Sequence, residues 1–347
     1  ISKKDTQEAG VRIYHLWESD INDIDDNTVV FIAITRAGDK LRLVHRLIHL
    51  GFCNIFEVHN SVFINKESFL SESGLLQNTV KKYKTGLDNR VLPVFRYMET
   101  HVMNGCNLRC KGCSHFSNLF EPDDMVEFDE FKKDIYRLSE VCNILVFRLL
   151  GGEPLLNKNL IAYLSVVKEA FADTDVHIAT NGLLITKCSD ALLRYISDNR
   201  IVLDITMYSP SFAMKEEIAK RLNDYKILYD FGKENLSEFN KVLTLYGEND
   251  PEVSVNACER KQCLILKAGN LYRCPISAYV EKYNERYGTN IDSEILFNIY
   301  SGSQDRLWEI ALEDPVKPVS TCRYCVNKPV SFSWEQSLHP EKEEWLV

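Results

Sequence analysis

Apolar and polar residues along this 347-residue chain fall into two rhythms that alternate over most of its length. Short unbroken apolar runs bounded by turn residues mark buried strands, and apolar residues three and four apart mark helices packed on one face. From about Val91 the pattern predicts strand Val94–Met103, helix Val126–Val141, strand Ile144–Leu150, helix Asn159–Ala172 and strand Val176–Thr180. Helix Asp190–Ser197, strand Ile201–Met207, helix Lys215–Leu222 and strand Lys226–Phe231 are predicted to follow. Such alternation gives an α/β fold, a parallel sheet with helices outside. Sites in these folds gather at the C-terminal strand ends.

Residues 1–90 read as a separate unit. Val29–Ile34 predicts a strand, Asp39–Leu50 a helix stopped by Gly51, and Asn54–Val58 a second strand. Together they make one right-handed βαβ unit. It resembles the later part of a Rossmann-like half-domain, but G-x-G-x-x-G is absent and Arg36-Ala-Gly-Asp39 is a weak substitute. A docking or oligomerisation module that binds no nucleotide suits the same pattern.

Composition narrows the class. The chain is 45% hydrophobic and 26% charged, ordinary for a soluble globular protein. A net charge of −9 argues against a nucleic-acid backbone as partner. No apolar run approaches the ~20 residues that span a bilayer, so no membrane span is expected. The start, Ile1-Ser-Lys-Lys-Asp-Thr, is polar and lacks both an apolar signal core and an initiator Met, which leaves the natural N-terminus open. Of eleven cysteines, eight fall in two groups, while Cys53, Cys142 and Cys188 stand in apolar or helical surroundings that suit a core. This density is below that of a disulfide-stapled scaffold, and a reducing cytoplasm is the expected compartment.

The first group is Cys106-Asn-Leu-Arg-Cys110-Lys-Gly-Cys113, three thiols on one loop after the first barrel strand. Soft thiolates select zinc, cuprous copper or iron–sulfur clusters. A structural zinc site closes with four ligands, whereas three ligands to a cubane leave one iron open. Gly151-Gly152-Glu153-Pro154 ends the second strand and Thr180-Asn181-Gly182 the third. At these residues the chain resembles the radical S-adenosylmethionine (SAM) enzymes. The resemblance implies a partial (β/α)6 barrel over residues 91–255 and a [4Fe-4S] cluster on Cys106, Cys110 and Cys113. It also implies that SAM is held near Gly151, Gly152, Glu153, Thr180 and Asn181, with Thr206 as the ribose contact and Tyr208 or Ser209 as its competitors. The family's aromatic residue before the third cysteine is here Gly112, and His115 or Phe116 is the expected replacement.

The second group is Cys258, Cys263, Cys274, Cys322 and Cys325. Alternating apolar residues around Ala268-Gly269-Asn270 predict a β-hairpin that places Cys263 opposite Cys274. The region resembles the auxiliary-cluster extension of the SPASM/Twitch subfamily, whose signature counts from Cys258. Four ligands are expected from five candidates, and the choice between Cys258 and Cys263 stays open. Only enough cysteines remain for one auxiliary [4Fe-4S] cluster, which implies a Twitch domain over residues 256–330, with residues 331–347 as a tail packed over the barrel opening or the cluster domain. A four-cysteine zinc ribbon is the alternative.

The resemblance implies reductive SAM cleavage to a 5′-deoxyadenosyl radical that abstracts a substrate hydrogen atom, fed by a reductant such as flavodoxin or ferredoxin. The Twitch resemblance, with one auxiliary cluster, implies two-electron oxidation of an alcohol carbon. The Rossmann-like unit, with a Cys113-Ser-His-Phe116 loop that resembles proteins of surface-polysaccharide gene sets, points to a small carbohydrate, polyol or nucleotide-activated substrate. Peptide or sulfatase maturation and carbohydrate epimerisation are the alternatives. Glu99, His101, Arg148 and Tyr208 are predicted near the active strand ends, but their facing turns on a one-residue register.

Overall fold

The computed structural model describes residues 7–8, 11–12, 29–32, 43–48, 50–58, 80–84, 91–232, 236–313 and 315–347. In the first unit, β1 (Val29–Ile32) and β2 (Asn54–Val58) pair in parallel, with residues 43–48 helical between them. β3 (Val80–Lys82) adds antiparallel to β2. Ile32, Val44, Leu47 and Ile55 are buried with Val91, Val94 and Leu145, so this unit shares apolar surface with the base of the main sheet. Arg36 to Asp39 lie outside the described residues.

The central sheet is built from β4 (Val94–Met103), β5 (Asn143–Gly151), β6 (Asp175–Thr180), β7 (Val202–Ile205) and β8 (Tyr229–Asp230), all parallel and in chain order. The helices α1 (Phe128–Val141), α2 (Leu160–Ala170), α3 (Asp190–Asp198) and α4 (Lys215–Asp224) connect them. Ser189 caps α3 by accepting from the Leu192 amide, and Asp129 and Glu130 sit in the first turn of α1, where the helix dipole favours negative charge.

Strand alternation splits each strand into two faces. Phe147, Leu149, Ile178 and Leu203 point to the helices and join Ile135, Leu138, Ile196 and Leu222 in one apolar core. Tyr97, Glu99, Arg148, His177 and Asp204 stand on the opposite face, which is the concave side of an open barrel. A fully buried residue such as Phe147 contributes about 3–5 kcal/mol, read as the cost of truncation to alanine.

Beyond β8 come β9 (Glu238–Leu243) and α5 (Pro251–Ala257), then a hairpin of β10 (Leu264–Lys267) and β11 (Asn270–Tyr272). Ala268 and Gly269 form the two-residue turn, both at positive φ, as a type I′ turn demands. The hairpin extends the main sheet: β10 pairs in parallel with β4, Leu264 facing Met98 and Leu266 facing Thr100. A sixth parallel strand therefore enters at the edge opposite β8, from residues that follow the predicted barrel segment. α6 (Pro275–Tyr287), β12 (Phe297–Asn298), α7 (Gln304–Ala311) and β13 (Cys325–Ser333) complete the chain, with β13 antiparallel to β9. Among the described residues no helix is long and apolar enough to cross a membrane.

Candidate functional site

Because β4 to β7 run parallel, the cysteine loop, the Gly151–Pro154 turn, Thr180–Gly182 and Thr206–Tyr208 emerge at one sheet edge. The Gly152 amide donates to Met103 O (2.8 Å) and the Glu153 amide to Gly105 O (2.9 Å), lashing the glycine turn to the chain that enters Cys106. Only glycine permits this approach. A Cβ on Gly151 would stand 1.7 Å from Met103 O, and one on Gly152 2.0 Å from Gly105 O.

Glu153 is fully buried, and its carboxylate accepts from the Leu155 amide (3.0 Å), Thr180 Oγ1 (2.7 Å) and the Asn181 amide (2.8 Å). Burial pushes this carboxyl up to about 7, against the pull of those donors. Asn181 Nδ2 then donates to Asn107 Oδ1 (2.7 Å) within the cysteine loop. Thr206 donates its amide to Thr180 O (2.9 Å), and its side chain borders the barrel cavity. Glu153, Thr180 and Asn181 thus interlock three strand ends and fix the loop.

The three thiols share one space. Burial pushes Cys106 up to about 12, with the charges of Glu153 and Cys113 adding and the Leu108 amide opposing. Cys110 is raised by burial and then by Cys113 and Cys106, while the Trp334 indole N–H, 3.2 Å from its Sγ, opposes. Tyr208 stands half-buried beside them, its hydroxyl raised by burial and then by Cys110, Cys113, Cys106 and Glu153. It sits just past β7 as the N-cap of the short helix Ser209–Phe212. Phe116 is packed between Tyr283 and Trp345, and His115 pairs with His101 through ring nitrogens 2.9 Å apart. The aromatic ring nearest Gly112 belongs to Phe332, 3.1 Å from where a Cβ would lie.

The concave face carries a charged network across four strands. Tyr97 OH donates to Glu99, Arg148 Nη1 donates to Tyr97 OH (3.1 Å), and His177 Nδ1 lies 3.0 Å from Asp204 Oδ1. Arg148 Nε is 2.9 Å from Asp204 Oδ2, an ion pair without the alignment of a hydrogen bond. Burial pushes Asp204 up, but His177 and Arg148 outweigh it and hold the carboxyl below its ordinary value. Burial raises Glu99. The network borders a cavity of about 430 Å³ that includes Thr206 and Leu236. Leu236 also borders a second cavity, about 420 Å³, that runs from Gly112 and Ser114 to Glu259 and Arg260. This second cavity is lined by neighbours of Cys113 and of Cys258.

Cys258, Cys274, Cys322 and Cys325 line one cavity of about 320 Å³. Cys258 follows α5, Cys274 caps α6 by accepting from the Ser277 amide (3.4 Å), and Cys325 opens β13. Burial pushes Cys274 up to about 12, and the charges of Cys258 and Cys322 add to it; Cys325 is raised by burial and then by Cys274, Cys322 and Cys258. Cys263 stands apart from this cavity. Burial pushes it up to about 12, and the nearby charge that adds most is Glu99, ahead of Cys274. Cys53 and Cys188 are half-buried and Cys142 is fully buried in the core.

Among the described residues, no three cysteine, histidine, aspartate or glutamate side chains could hold a single metal ion between them. By donor type, three thiols on one loop and four thiols around one cavity suit thiolate-held metal centres, iron–sulfur clusters among them.

Pattern reading missed Asn107, Phe332, Trp334 and Arg260. The two tryptophans in a charged tail were the one signal for part of this set. Trp345 Nε1 donates to Cys113 O (2.8 Å), and Trp334 contacts Cys110.

Residues 100–260 match the Radical SAM superfamily. The chain is 28% identical over 163 residues to a GTP 3′,8-cyclase of Limosilactobacillus fermentum, covering 45% of this chain and 48% of that protein. It is 32% identical over 98 residues to the GTP 3′,8-cyclase of Alkaliphilus metalliredigens, 28% of this chain and 30% of that one. The chain thus spans about half the length, or less, of these curated relatives. A solved structure of anSMEcpe with bound AdoMet aligns with a TM-score of 0.43 at 13% identity, covering 66% of this chain and 82% of the other.

Proposed function

We propose, from the match of residues 100–260 to the Radical SAM superfamily, that this chain is a radical SAM oxidoreductase with two [4Fe-4S] clusters, acting on an alcohol carbon of a small polar substrate. Cys106, Cys110 and Cys113 hold the first cluster, and Cys258, Cys274, Cys322 and Cys325 the second. When bound, these clusters and SAM supply a 5′-deoxyadenosyl radical and an acceptor for the electron left after hydrogen abstraction. The carrying observation is a pair of neighbouring cavities that share Leu236, one bordered by Arg148, His177 and Asp204, the other by residues next to Cys113 and Cys258. A substrate there lies between a site of hydrogen abstraction and a site of electron removal.

The chain's own residues bind and orient. Arg148 and His177 donate to substrate oxygens, with His177 held at Nδ1 by Asp204 so that its second ring nitrogen serves the ligand. Asp204 accepts from hydroxyls. Oxidation of the alcohol to a carbonyl removes one hydrogen atom, one electron and one proton. The proton leaves through this carboxylate-rich face. A sugar, a polyol or a nucleotide-activated sugar suits a site so dense in paired donors and acceptors.

The similarity to GTP 3′,8-cyclases favours a second reading, rearrangement of a purine nucleotide in the same cavity. One assay separates the two. The reconstituted protein is incubated with SAM, reductant and a panel of polyols, sugars, nucleotide sugars and GTP, each deuterated at its alcohol carbons. Deuterium in 5′-deoxyadenosine together with a carbonyl product supports the first reading. Deuterium transfer from GTP alone moves the assignment to the second, and transfer from none of them removes both.

A further inference from the structure

The C-terminal tail is wired to the first cysteine loop. The Lys111 amide donates to Glu335 O (3.0 Å) and the Ser337 amide to Arg109 O (2.8 Å), which makes Cys110 and Gln336 an antiparallel bridge. Gln336 Nε2 adds a bond to Leu108 O (2.9 Å). On its other side, the Trp334 amide donates to Ser237 O (2.8 Å), next to the start of β9. Trp334 is thus fixed from both directions, with its ring 5.3 Å from that of Tyr208. The indole N–H is aimed at Cys110 Sγ at 3.2 Å, and Cys110 is itself buried. Among the described residues, no other side-chain donor from outside this loop is hydrogen-bonded to one of its thiols.

We propose that Trp334 tunes the first cluster, its N–H bonding the Cys110 thiolate and favouring the reduced cluster over the oxidised one. The inference rests on the reading that Cys106, Cys110 and Cys113 hold a cluster. Reduction adds an electron that is shared onto the ligating sulfurs. A hydrogen bond to sulfur therefore strengthens on reduction and raises the potential. Trp334 is a positioning residue, acting through Cys110 and not on the substrate.

The test uses full-length protein reconstituted with both clusters, titrated electrochemically and followed by electron paramagnetic resonance. Trp334→Phe keeps a ring against Tyr208 and removes the N–H; Trp334→His restores a donor. The reduced-to-oxidised ratio of the first cluster at fixed potential should fall several-fold to about tenfold in W334F, up to about 59 mV for one electron. W334H should recover part of it, and the second cluster, read in the same titration, should not move. An unchanged first midpoint in W334F overturns the proposal. So does an equal shift in W334F and W334H, or loss of iron from the first site in both, since each assigns Trp334 to packing alone. Absence of a first-cluster signal in the unmodified protein would instead bring down the underlying cluster assignment.

Discussion

Replacing Gly152 by alanine should dismantle the first cysteine site and spare the second. The added Cβ would stand 2.0 Å from Gly105 O, 2.3 Å from Gly105 C and 2.6 Å from Asn104 O, all of them backbone atoms. No side chain can swing away, so the loop carrying Cys106 must retreat by more than about 1 Å to restore van der Waals contact. That retreat strains or breaks the bonds from the Gly152 amide to Met103 O and from the Glu153 amide to Gly105 O. Overpacking costs about 1–3 kcal/mol and each lost hydrogen bond about 1 kcal/mol, for a total of about 3–5 kcal/mol. At roughly 2–4 °C per kcal/mol for domains of this size, the melting temperature should drop by about 6–20 °C. The assay pairs a thermal melt with iron analysis and SAM binding on anaerobically reconstituted protein. G152A should lose SAM binding and about half its iron. A variant that melts and binds SAM like the parent would refute the claim that this turn is pressed against the cysteine loop.

Other perturbations address separate parts of the account. Cys258→Ala should cut the iron content by about half while Cys263→Ala leaves it unchanged, because Cys263 does not line the four-thiol cavity; the opposite pattern would assign the ligand to Cys263. Glu153→Gln turns an amide toward three donors and should cost about 1–3 kcal/mol, measured by denaturant unfolding; no loss would show that the carboxylate does not bind the strand ends together. His101 is fully buried and stacked on Tyr279, and burial pushes it down to about 3. Its depressed value means the unfolded chain binds the extra proton first, so its contribution is complete above about pH 6.5 and is lost as pH falls toward 3, by about 1.4 kcal/mol per pH unit. His101→Gln should flatten that part of the pH–stability curve, and an unchanged acid slope would place the ring in a hydrated setting.

The parts of the fold carried by neighbouring residues were legible in the sequence. The strands feeding the cysteine loop, the Gly151–Pro154 turn and Thr180–Gly182 were readable because an apolar run and its turn residues are contiguous. Placement of the hairpin in the main sheet was not, since the pairing of Leu264–Leu266 with Met98–Thr100 joins segments about 166 positions apart. The hairpin turn itself, at Ala268 and Gly269, followed from alternation. Extending its ladder to Cys263 and Cys274 did not predict the cavity, because the pairs stop at Ile265 and Tyr272. Past that point Cys274 turns into the α6 cap and Cys263 into a tight turn with Arg260, and of the two only Cys274 lines the four-thiol cavity. Gly112 carried a similar lesson: its open side is filled by Phe332 from the distant tail, which no local pattern announces. Glu153 read as a ligand contact by motif, whereas burial and three donors make it the brace that sets the glycine turn.

The most direct measurement of the central claim is 5′-deoxyadenosine formation by the anaerobically reconstituted protein, with SAM and a strong reductant, beside Cys110→Ala. The account predicts 5′-deoxyadenosine and methionine from the parent, none from C110A, and about four irons retained by C110A on Cys258, Cys274, Cys322 and Cys325. A parent protein carrying its full iron that leaves SAM intact would contradict it.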